Sequence, residues 1–392
     1  MVSPPTRGSV AGPLRRRRSR EPAPAASPEE HALRRIVQAL VGIAISGLAL
    51  WLTLRGKDLS AIVHEIRAAD YRFLAPYVLI LLGIHLARTV RWGILLEPVA
   101  KLPFSRLNAV SAVGFMALVV LPFRLGEFAR PYLVAERPRL RVSSALSSVV
   151  VERVVDGLFT GVLLVVMLLA LPDGTPGVQL LRTAGLVVSL AFGGLLAFLV
   201  VAYRNRTLAV RIAEAVLRPL SPRLAARASG MLDAFIHGLR LVPSRSKLAQ
   251  FFLLTAIYWG LNAWGMALLA RGFGFELDAA QACTLLGVLI VGVMIPAGPG
   301  MIGTFQGAIV LGLSLFAPRQ VVATQGVAFA NVLWAVQLAQ QVGLGLFFLF
   351  SRHIQLGRIL AAPSEIETGL EAEEAEYQAE PDERAARELS RD

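Results

Sequence analysis

The sequence has a single cysteine among 392 residues, Cys283, and this cysteine lies inside an apolar segment. One cysteine excludes an intramolecular disulfide framework and a metal site built on cysteines. The nucleotide-binding pattern GxxxxGK followed by Ser or Thr is also missing, so the chain carries no signature of ATP-driven work. Isolated histidines such as His64 and His85 lack the spacing of metal ligands. We therefore expect no cofactor, no bound metal and no catalytic residue.

Charged residues are scarce for a chain of this length. They make up 17% of the sequence, whereas hydrophobic residues make up 55%. The apolar runs are too long for an ordinary soluble core and indicate an all-α polytopic membrane protein. The formal net charge is +12, but the arginines gather in loops between apolar segments. Membrane topology explains that pattern, so we expect no nucleic-acid partner.

Both ends of the chain are polar and differ in charge. Residues 1–35 are rich in Pro, Ala, Ser and Arg, with RRRRSR at 15–20, and are predicted to form a disordered basic cytoplasmic arm. The apolar run that follows lacks the small-residue exit of a cleaved signal peptide, so it is predicted to remain as the first membrane helix. Residues 351–392 are predicted to form an acidic disordered tail, because they include EIETGLEAEEAEYQAEPDER at 365–384.

Between these ends, residues 36–350 are predicted to form one transmembrane domain. Each apolar segment should be a helix or half-helix, because lipid tolerates no unpaired backbone groups. Nine such segments can be marked: 36–54, 73–96, 107–123, 148–171, 183–203, 249–270, 279–297, 304–316 and 321–350.

The basic residues of the loops predict how these segments cross the membrane. The loop 204–248 carries eight arginines and Lys247, whereas 172–182 carries only Arg182. The first is therefore predicted to be cytoplasmic and the second external. Two further loops, 88–106 and 124–147, are also basic and are predicted to be cytoplasmic.

This assignment places both ends of the segment 107–123 on one side of the membrane. A spanning helix cannot do this, so we expect a re-entrant or broken segment that lines a protein cavity. The topology then has about eight transmembrane helices, and both termini are cytoplasmic. The basic residues of the first of the two loops, on which this prediction depends, are Arg88, Arg91, Lys101 and Arg106.

Two charged groups adjoin apolar runs. They lie in LPFRLGEFARPYL at 121–133 and in VVVERVVDGLF at 149–159. A charge near membrane depth costs about 2.5 to 3.5 kcal/mol on insertion scales, so each one needs a partner, water or a ligand. Either these groups pair with one another at helix ends, or they line a hydrated cavity where arginine forks grip a phosphate. The residues are Arg124, Glu127, Arg130, Glu152, Arg153 and Asp156.

A second feature is the stretch GVMIPAGPGMIGTFQGAIVLG at 292–312. Its prolines and glycines predict a break between two helices, the second of which starts near Thr304. The break is either a simple loop or a cavity element whose free amides hold an anionic head group. The residues of the break are Pro296, Gly298, Pro299, Gly300 and Gly303.

The two breaks occupy corresponding positions. VVLPFRLGE at 119–127 and VMIPAGPGM at 293–301 each place a proline at the end of an apolar run, on either side of the basic loop 204–248. Paired broken segments indicate an inverted repeat of the kind that transporters use. The last apolar segment also has one polar helical face, which either joins helices or forms a cavity wall. The residues of that face are Asn331, Trp334, Gln337 and Gln341.

In this order and spacing, the motifs resemble the transmembrane region of lysylphosphatidylglycerol synthases and their stand-alone flippase-like relatives, over roughly residues 35–350. The motifs are PxRxGExxR at 122–130, ERxxD at 152–156 and the Pro/Gly break. The resemblance implies a helical domain that moves lipids between leaflets. It also implies a substrate-binding role for the six charged residues, for the five residues of the break and for Gln306. Gln306 stands where an acidic residue is expected, which argues against proton coupling there.

The leading hypothesis is therefore a lipid translocator of a bacterial inner membrane, with a phospholipid or a polyprenyl-phosphate-linked lipid as its partner. One alternative is a membrane glycosyltransferase or phosphotransferase acting on a polyprenyl phosphate, with Glu127, Glu152 or Asp156 as base or metal ligand. The other is a scaffold whose charged tails recruit partners. We do not expect lipid aminoacylation, because the residues after Phe350 are polar and too few for the soluble transfer domain.

Overall fold

The computed structural model describes residues 28–98, 100–121, 126–135, 142–169, 177–219, 244–295 and 297–350. Every regular element in these ranges is helical. In chain order the α-helices of six residues or more are α1 (Pro28–Leu54), α2 (Leu59–Ala68), α3 (Leu74–Leu96), α4 (Phe104–Val120), α5 (Ala129–Val134), α6 (Val142–Leu169), α7 (Val178–Arg204), α8 (Arg206–Leu217), α9 (Arg245–Arg271), α10 (Ala279–Val293), α11 (Thr304–Leu313) and α12 (Val327–Phe348).

Four of the helical stretches in the described ranges are long and apolar enough to cross a membrane. They are Tyr71–Leu96, Val178–Arg204, Arg245–Arg271 and Arg319–Phe348, and α4, α10 and α11 belong to a second set of shorter apolar helices. The protein is therefore an all-α membrane protein, as predicted. The number of crossings and the orientation of the termini stay predictions.

Local sequence sets several helix ends. Asp58 caps α2 by accepting hydrogen bonds from the amides of Ser60 and Ala61. The Ser60 hydroxyl, together with these amides, holds the pKa of Asp58 below its usual value. Asp278 and Gln281 form a reciprocal capping box at the start of α10. These caps satisfy backbone donors that the first turn of a helix leaves without partners.

The helices form two halves with reciprocal contacts. In the first half, α5 lies against α4 and α6, and in the second half α11 lies against α10 and α12. Between the halves, α3 packs on α9, α4 packs on α12, and α10 packs on α6. By their contacts, the helices of the two halves correspond in position: α3 to α9, α4 to α10, α5 to α11 and α6 to α12. This order of contacts is the one that an internal repeat would give, and the inverted repeat stays a prediction.

The two largest of five apolar cores in the described residues accompany this arrangement. The larger one joins α3, α9, α10, α11 and α12 and includes Tyr77, Met266 and Phe329. The other surrounds the fully buried Trp92 at the contact of α3, α4, α5 and α6. The Trp92 indole donates a hydrogen bond to the Ser148 hydroxyl at 3.1 Å. Buried Trp side chains need such a partner because the indole N–H cannot be solvated.

Two sequence predictions differ from the structure. Helix α1 begins at Pro28, so part of the predicted disordered arm continues the first apolar helix. PEEHALRR explains this, because proline suits a first helical position and the residues that follow are mostly good helix formers. Residues 1–27, the centre of the basic loop and the tail 351–392 lie outside the described residues, so the domain predictions for them stay predictions.

The second difference concerns Arg88 and Arg91, which the sequence predicts to be in a cytoplasmic loop. Both lie inside α3, and Arg91 is completely buried. This prediction was wrong for these two residues, because α3 continues to Leu96 and both arginines lie within the helix and not in a loop. Of the four basic residues, only Lys101 lies between α3 and α4, because Arg106 belongs to the first turn of α4. The helix that follows, α4, has 17 residues, and its re-entrant character stays a prediction.

Candidate functional site

A cluster of buried ion pairs joins α3, α5 and α6. It consists of Arg91, Arg130, Glu152, Arg153 and Asp156, and we call it the ion-pair cluster. Its centre is Arg91, whose guanidinium donates to both carboxylate oxygens of Asp156 and, at 2.8 Å, to Glu152 Oε1. Arg91 Nη1 also donates to the Thr255 hydroxyl of α9 at 3.2 Å. The planar fork of arginine allows one side chain to serve all three partners.

The Glu152 carboxylate is enclosed by three arginines. Besides Arg91, it receives a hydrogen bond from Arg153 Nη2 at 3.0 Å and lies 3.1 Å from Arg130 Nη1. Arg153 Nη2 also lies 3.6 Å from Asp156 Oδ2, the contact that the three-residue spacing predicts. A charge buried at membrane depth is tolerated only with partners of this kind.

Arg88 differs from these arginines, although it lies on α3 one turn before Arg91. Its guanidinium stacks on the Phe115 ring, 3.6 Å from the centroid, and lies 5.6 Å from the centroid of Tyr258. Among the residues that the structure describes, no carboxylate forms an ion pair with it. Stacking on an aromatic face stabilises a guanidinium without neutralising its charge. Arg88 is therefore a cation still able to accept an anionic partner.

Arg88 faces a cavity of about 470 Å³. The wall combines side chains from α3, α4, α6, α7, α9, α10 and α12 with the break before α11. One part of the wall is charged, and its members are Arg88, Glu127, Arg153 and Asp156. Another part carries amides, namely Asn262, Gln337, Gln340 and Gln341, and the rest is mainly aliphatic and aromatic. A volume of this size suits a lipid head group or another small polar molecule.

The segment 297–303 between α10 and α11, which we call the glycine break, forms another part of the cavity wall. The φ angles of Gly300 and Gly303 are 70° and 85°, in a region that favours glycine. At Gly303 an added Cβ would also meet the backbone of α1 near Leu50. The break therefore needs glycine at Gly303 for both conformation and space, and α11 starts at Thr304 as predicted.

Hydrogen bonds with other side chains of the protein satisfy several backbone amide and carbonyl groups of the glycine break. The Gly298 amide donates to the Ser46 hydroxyl at 2.8 Å, and the Gly303 amide donates to Gln306 Oε1 at 2.7 Å. The Trp334 indole donates to the Gly300 carbonyl at 2.7 Å. The sequence predicts that freed amides of this break hold an anionic head group. In this structure the Gly298 and Gly303 amides are used by side chains of the protein, and their binding of a head group stays a prediction.

The predicted site residues divide into three sets. Four of them line the cavity: Glu127, Arg153, Asp156 and Gly300. Six others lie outside its lining, in the ion-pair cluster or around the glycine break: Arg130, Glu152, Gly298, Pro299, Gly303 and Gln306. Arg124 and Pro296 lie outside the described residues. Lipid binding by any of the twelve stays a prediction.

The polar face of α12 both lines the cavity and joins helices, which are the two roles that the sequence leaves open. Trp334, Gln337 and Gln341 line the cavity. Gln337 also joins two helices, because its amide lies 2.9 Å from the Tyr77 hydroxyl of α3. Asn331 lies near Gln306 Nε2, 3.5 Å away, and supports the start of α11.

Sequence reasoning missed Arg88 and Arg91 as site residues. The available signal was their position three residues apart within the apolar run LAPYVLILLGIHLARTVRWGILL of α3. Ionisable residues in such a run usually face the interior of a helix bundle. Their proximity to the end of the run made them indistinguishable from loop arginines. Among the described residues, no group of three His, Cys, Asp or Glu side chains is placed to hold a metal ion.

These features define a polytopic helical membrane protein with a charged internal cavity. The sequence profile of the lysylphosphatidylglycerol synthase TM region matches residues 39–345. The match covers most of the chain, and the chain belongs to this family, as its motifs predict. A comparison with curated proteins finds no match.

Proposed function

We propose that this protein moves a lipid between the two leaflets of a bacterial inner membrane. In this mechanism the polar head group passes through the cavity while the acyl or prenyl tails remain in the bilayer. The observation that carries the proposal is Arg88, a cation without an ion-pair partner in the described chain that faces a cavity of about 470 Å³. A phosphate group in the cavity would supply the missing anion.

The ion-pair cluster, of which Arg153 and Asp156 line the cavity, supports this mechanism by holding the wall in place. It fixes α3, α5 and α6 against one another, so the cavity keeps its shape while a head group enters and leaves. The family membership supports a membrane role of this kind. The described chain shows no means of driving transport, so the energy is supplied by an ion gradient, by removal of the lipid or by a partner.

The enzyme alternative is less well supported. A general base needs a carboxylate with a free lone pair aimed at the reacting group. Asp156 accepts hydrogen bonds from both terminal nitrogens of the Arg91 guanidinium, and Glu152 is enclosed by three arginines. These contacts suit electrostatic positioning better than proton transfer. The scaffold alternative depends on tails outside the described residues, so the experiment below has to distinguish it.

The test is lipid exchange in liposomes that contain the purified full chain. We would measure leaflet exchange of labelled phosphatidylglycerol, lysyl-phosphatidylglycerol and a polyprenyl-phosphate sugar, with and without an ion gradient. Arg88→Gln is the test variant. Arg271→Gln is the matched control, because Arg271 is an exposed residue at the end of α9 and lies outside the cavity lining.

We expect exchange of at least one lipid, with a loss of about 10-fold or more in Arg88→Gln and no loss in the control. Equal rates in the two variants would show that the cavity is not the route. No exchange of any lipid under either condition would remove the translocator and favour the enzyme or the scaffold. Divalent-metal-dependent turnover would then indicate the enzyme, and loss of cellular function on tail removal would indicate the scaffold.

A further inference from the structure

Helix α8 carries an apolar row that stays exposed in the described structure. The exposed fractions of Leu208, Ile212 and Val216 are 44%, 37% and 61%. These residues are spaced four apart, so they lie on one side of the helix within an arc of about 80°. Contiguous exposed apolar residues mark contact with a membrane or with another protein.

The polar residues of α8 form a second row beside the apolar one. Thr207, Arg211, Glu214 and Arg218 follow one another at spacings of four, three and four residues, and all four are exposed. Residues at these spacings share one side of a helix. Glu214 is the only acidic residue in the segment 206–218, which also contains three arginines. The exposed surface of α8 is therefore apolar on one side and basic on the next.

The remaining side of α8 packs on the transmembrane helices. Ala209 is completely buried and forms one apolar cluster with Leu199 and Ala202 of α7 and Val154 of α6. The turn between α7 and α8 is a single residue, Asn205, whose side chain accepts a hydrogen bond at 3.0 Å from a backbone amide in the first turn of α8. Helix α8 is therefore held at the end of α7.

The end of α7 indicates which surface the apolar row meets. Helix α7 is long and apolar enough to cross a membrane, and many of its apolar side chains, such as Val187 and Leu190, are exposed. The end of a spanning helix lies at the level of the lipid head groups. An amphipathic helix at that level buries its apolar side among the acyl chains, while its arginines reach the phosphates. The basic row favours anionic lipids.

We infer that α8 is an interfacial helix that binds anionic phospholipids of the leaflet in which α7 ends. The apolar row enters the acyl chains next to the head groups, and Arg211 and Arg218 bind lipid phosphates. This site is separate from the cavity, because no described residue of α8 belongs to the cavity lining. The inference does not depend on the proposed function.

The first test measures which side of α8 faces lipid. A Cys283→Ser background removes the single cysteine, and Ile212→Cys or Thr207→Cys then carries a nitroxide label. Ile212 belongs to the apolar row, and Thr207, the matched control, belongs to the polar row. The full chain is reconstituted in liposomes of phosphatidylcholine and phosphatidylglycerol. Oxygen concentrates in the bilayer and a nickel chelate stays in water, so the collision rates of the label with each reagent report its surroundings.

We expect the label at position 212 to collide mainly with oxygen and the label at position 207 mainly with the nickel chelate. Contact of both labels mainly with the chelate would overturn the inference. Protection of the label at position 212 from both reagents would also overturn it. In that case the apolar row is covered by protein, either by residues 220–243 or by a second copy of the chain.

The second test measures the preference for anionic lipid. A donor fluorophore at Ile212→Cys transfers energy to phosphatidylglycerol or phosphatidylcholine that carries an acceptor on an acyl chain. We expect phosphatidylglycerol to be enriched about 2-fold or more near α8, and salt to reduce this enrichment. Arg211→Gln with Arg218→Gln should abolish the enrichment. Arg67→Gln with Arg271→Gln is the matched control, because it removes two exposed arginines away from α8 and should leave the enrichment unchanged.

Equal transfer to the two acceptors would overturn the binding of anionic lipid. An enrichment that survives in the α8 double variant would have the same meaning. Neither test measures the movement of lipid between leaflets. A failure of lipid exchange therefore leaves this inference standing, and a failure of either test here leaves the proposed function standing.

Discussion

The ion-pair cluster and the glycine break hold unusual groups inside the bundle by different means. In the cluster, charged side chains neutralise one another over distances of about 3 Å. In the break, glycines allow the backbone to approach α1, and side chains from α1, α11 and α12 satisfy the freed polar groups. The break uses up its hydrogen-bond donors at Gly298 and Gly303. Next to the cluster, Arg88 has no ion-pair partner among the described residues, and under the proposed function this charged side of the cavity binds the head group.

The largest expected effect comes from breaking the cluster at its centre. Arg91→Gln removes the most buried of the arginines that Glu152 and Asp156 share, and removing one member of a buried ion pair costs roughly 3 to 5 kcal/mol. We expect a large fall in thermal stability in detergent and loss of folded protein. Arg271→Gln is the control at an exposed position. Equal melting temperatures for the two variants would mean that the cluster contributes nothing to the fold.

The next effect tests the glycine break. Gly303→Ala places a methyl group against the α1 backbone at a φ of 85°, and we expect a loss of about 2 kcal/mol or more of stability. Gly343→Ala is the matched control, because nothing lies within 4 Å of a Cβ at that helical position. It should be neutral or stabilise the protein by up to about 1 kcal/mol. Unfolding curves that coincide for the two variants would contradict the close approach.

A smaller effect tests the hydrogen bonds of the same break. Gln306→Ala removes the acceptor for the Gly303 amide, and we expect a loss of about 1 kcal/mol. Gln306→Glu keeps an oxygen at that place and should cost less, provided that its second oxygen is accommodated near Asn331. Denaturant unfolding of both variants measures the difference. A greater loss in Gln306→Glu than in Gln306→Ala would show that the site rejects an acidic side chain.

Arg88→Gln should have the smallest effect on stability and so sharpens the comparison. It breaks no ion pair within the described chain and removes only stacking on Phe115 and Tyr258, so we expect a change below about 1 kcal/mol. Lipid binding should nevertheless fall about 10-fold or more. The contrast with Arg91→Gln is the decisive result, because the two residues lie one turn apart on α3. A large loss of stability in Arg88→Gln would assign it a structural role.

Much of this fold follows from local patterns in the sequence. Apolar runs and basic loops predict the helices, and proline and glycine predict the break and the start of α11 at Thr304. The pairing of Arg153 with Asp156 follows from their spacing on one helix. Each of these features depends on residues close together in the chain, where helical geometry alone fixes the distances.

The rest depends on contacts between distant residues. Arg91 meets Glu152 and Asp156 only because α3 packs against α6, and Ser46 reaches Gly298 from the first helix. No local pattern distinguishes Arg88, which faces a cavity, from Arg91, which is buried in ion pairs. Their roles are set by whether a carboxylate from another helix lies opposite. The sequence therefore predicts the types of residue in the site better than the role of each one.

The reciprocal packing of the two halves affects how the chain is assembled during synthesis. Helix α4 lies against α12, and α6 lies against α10, so both of these amino-terminal helices have a neighbour that is synthesised later. When α4 enters the bilayer, its eventual neighbour has not yet left the ribosome. We therefore expect the early helices to be exposed to lipid until then, while the carboxylates of α6 already form ion pairs with Arg91 of α3. Pairing these charges before the last helix is synthesised lowers the free-energy cost of holding the incomplete chain in the bilayer.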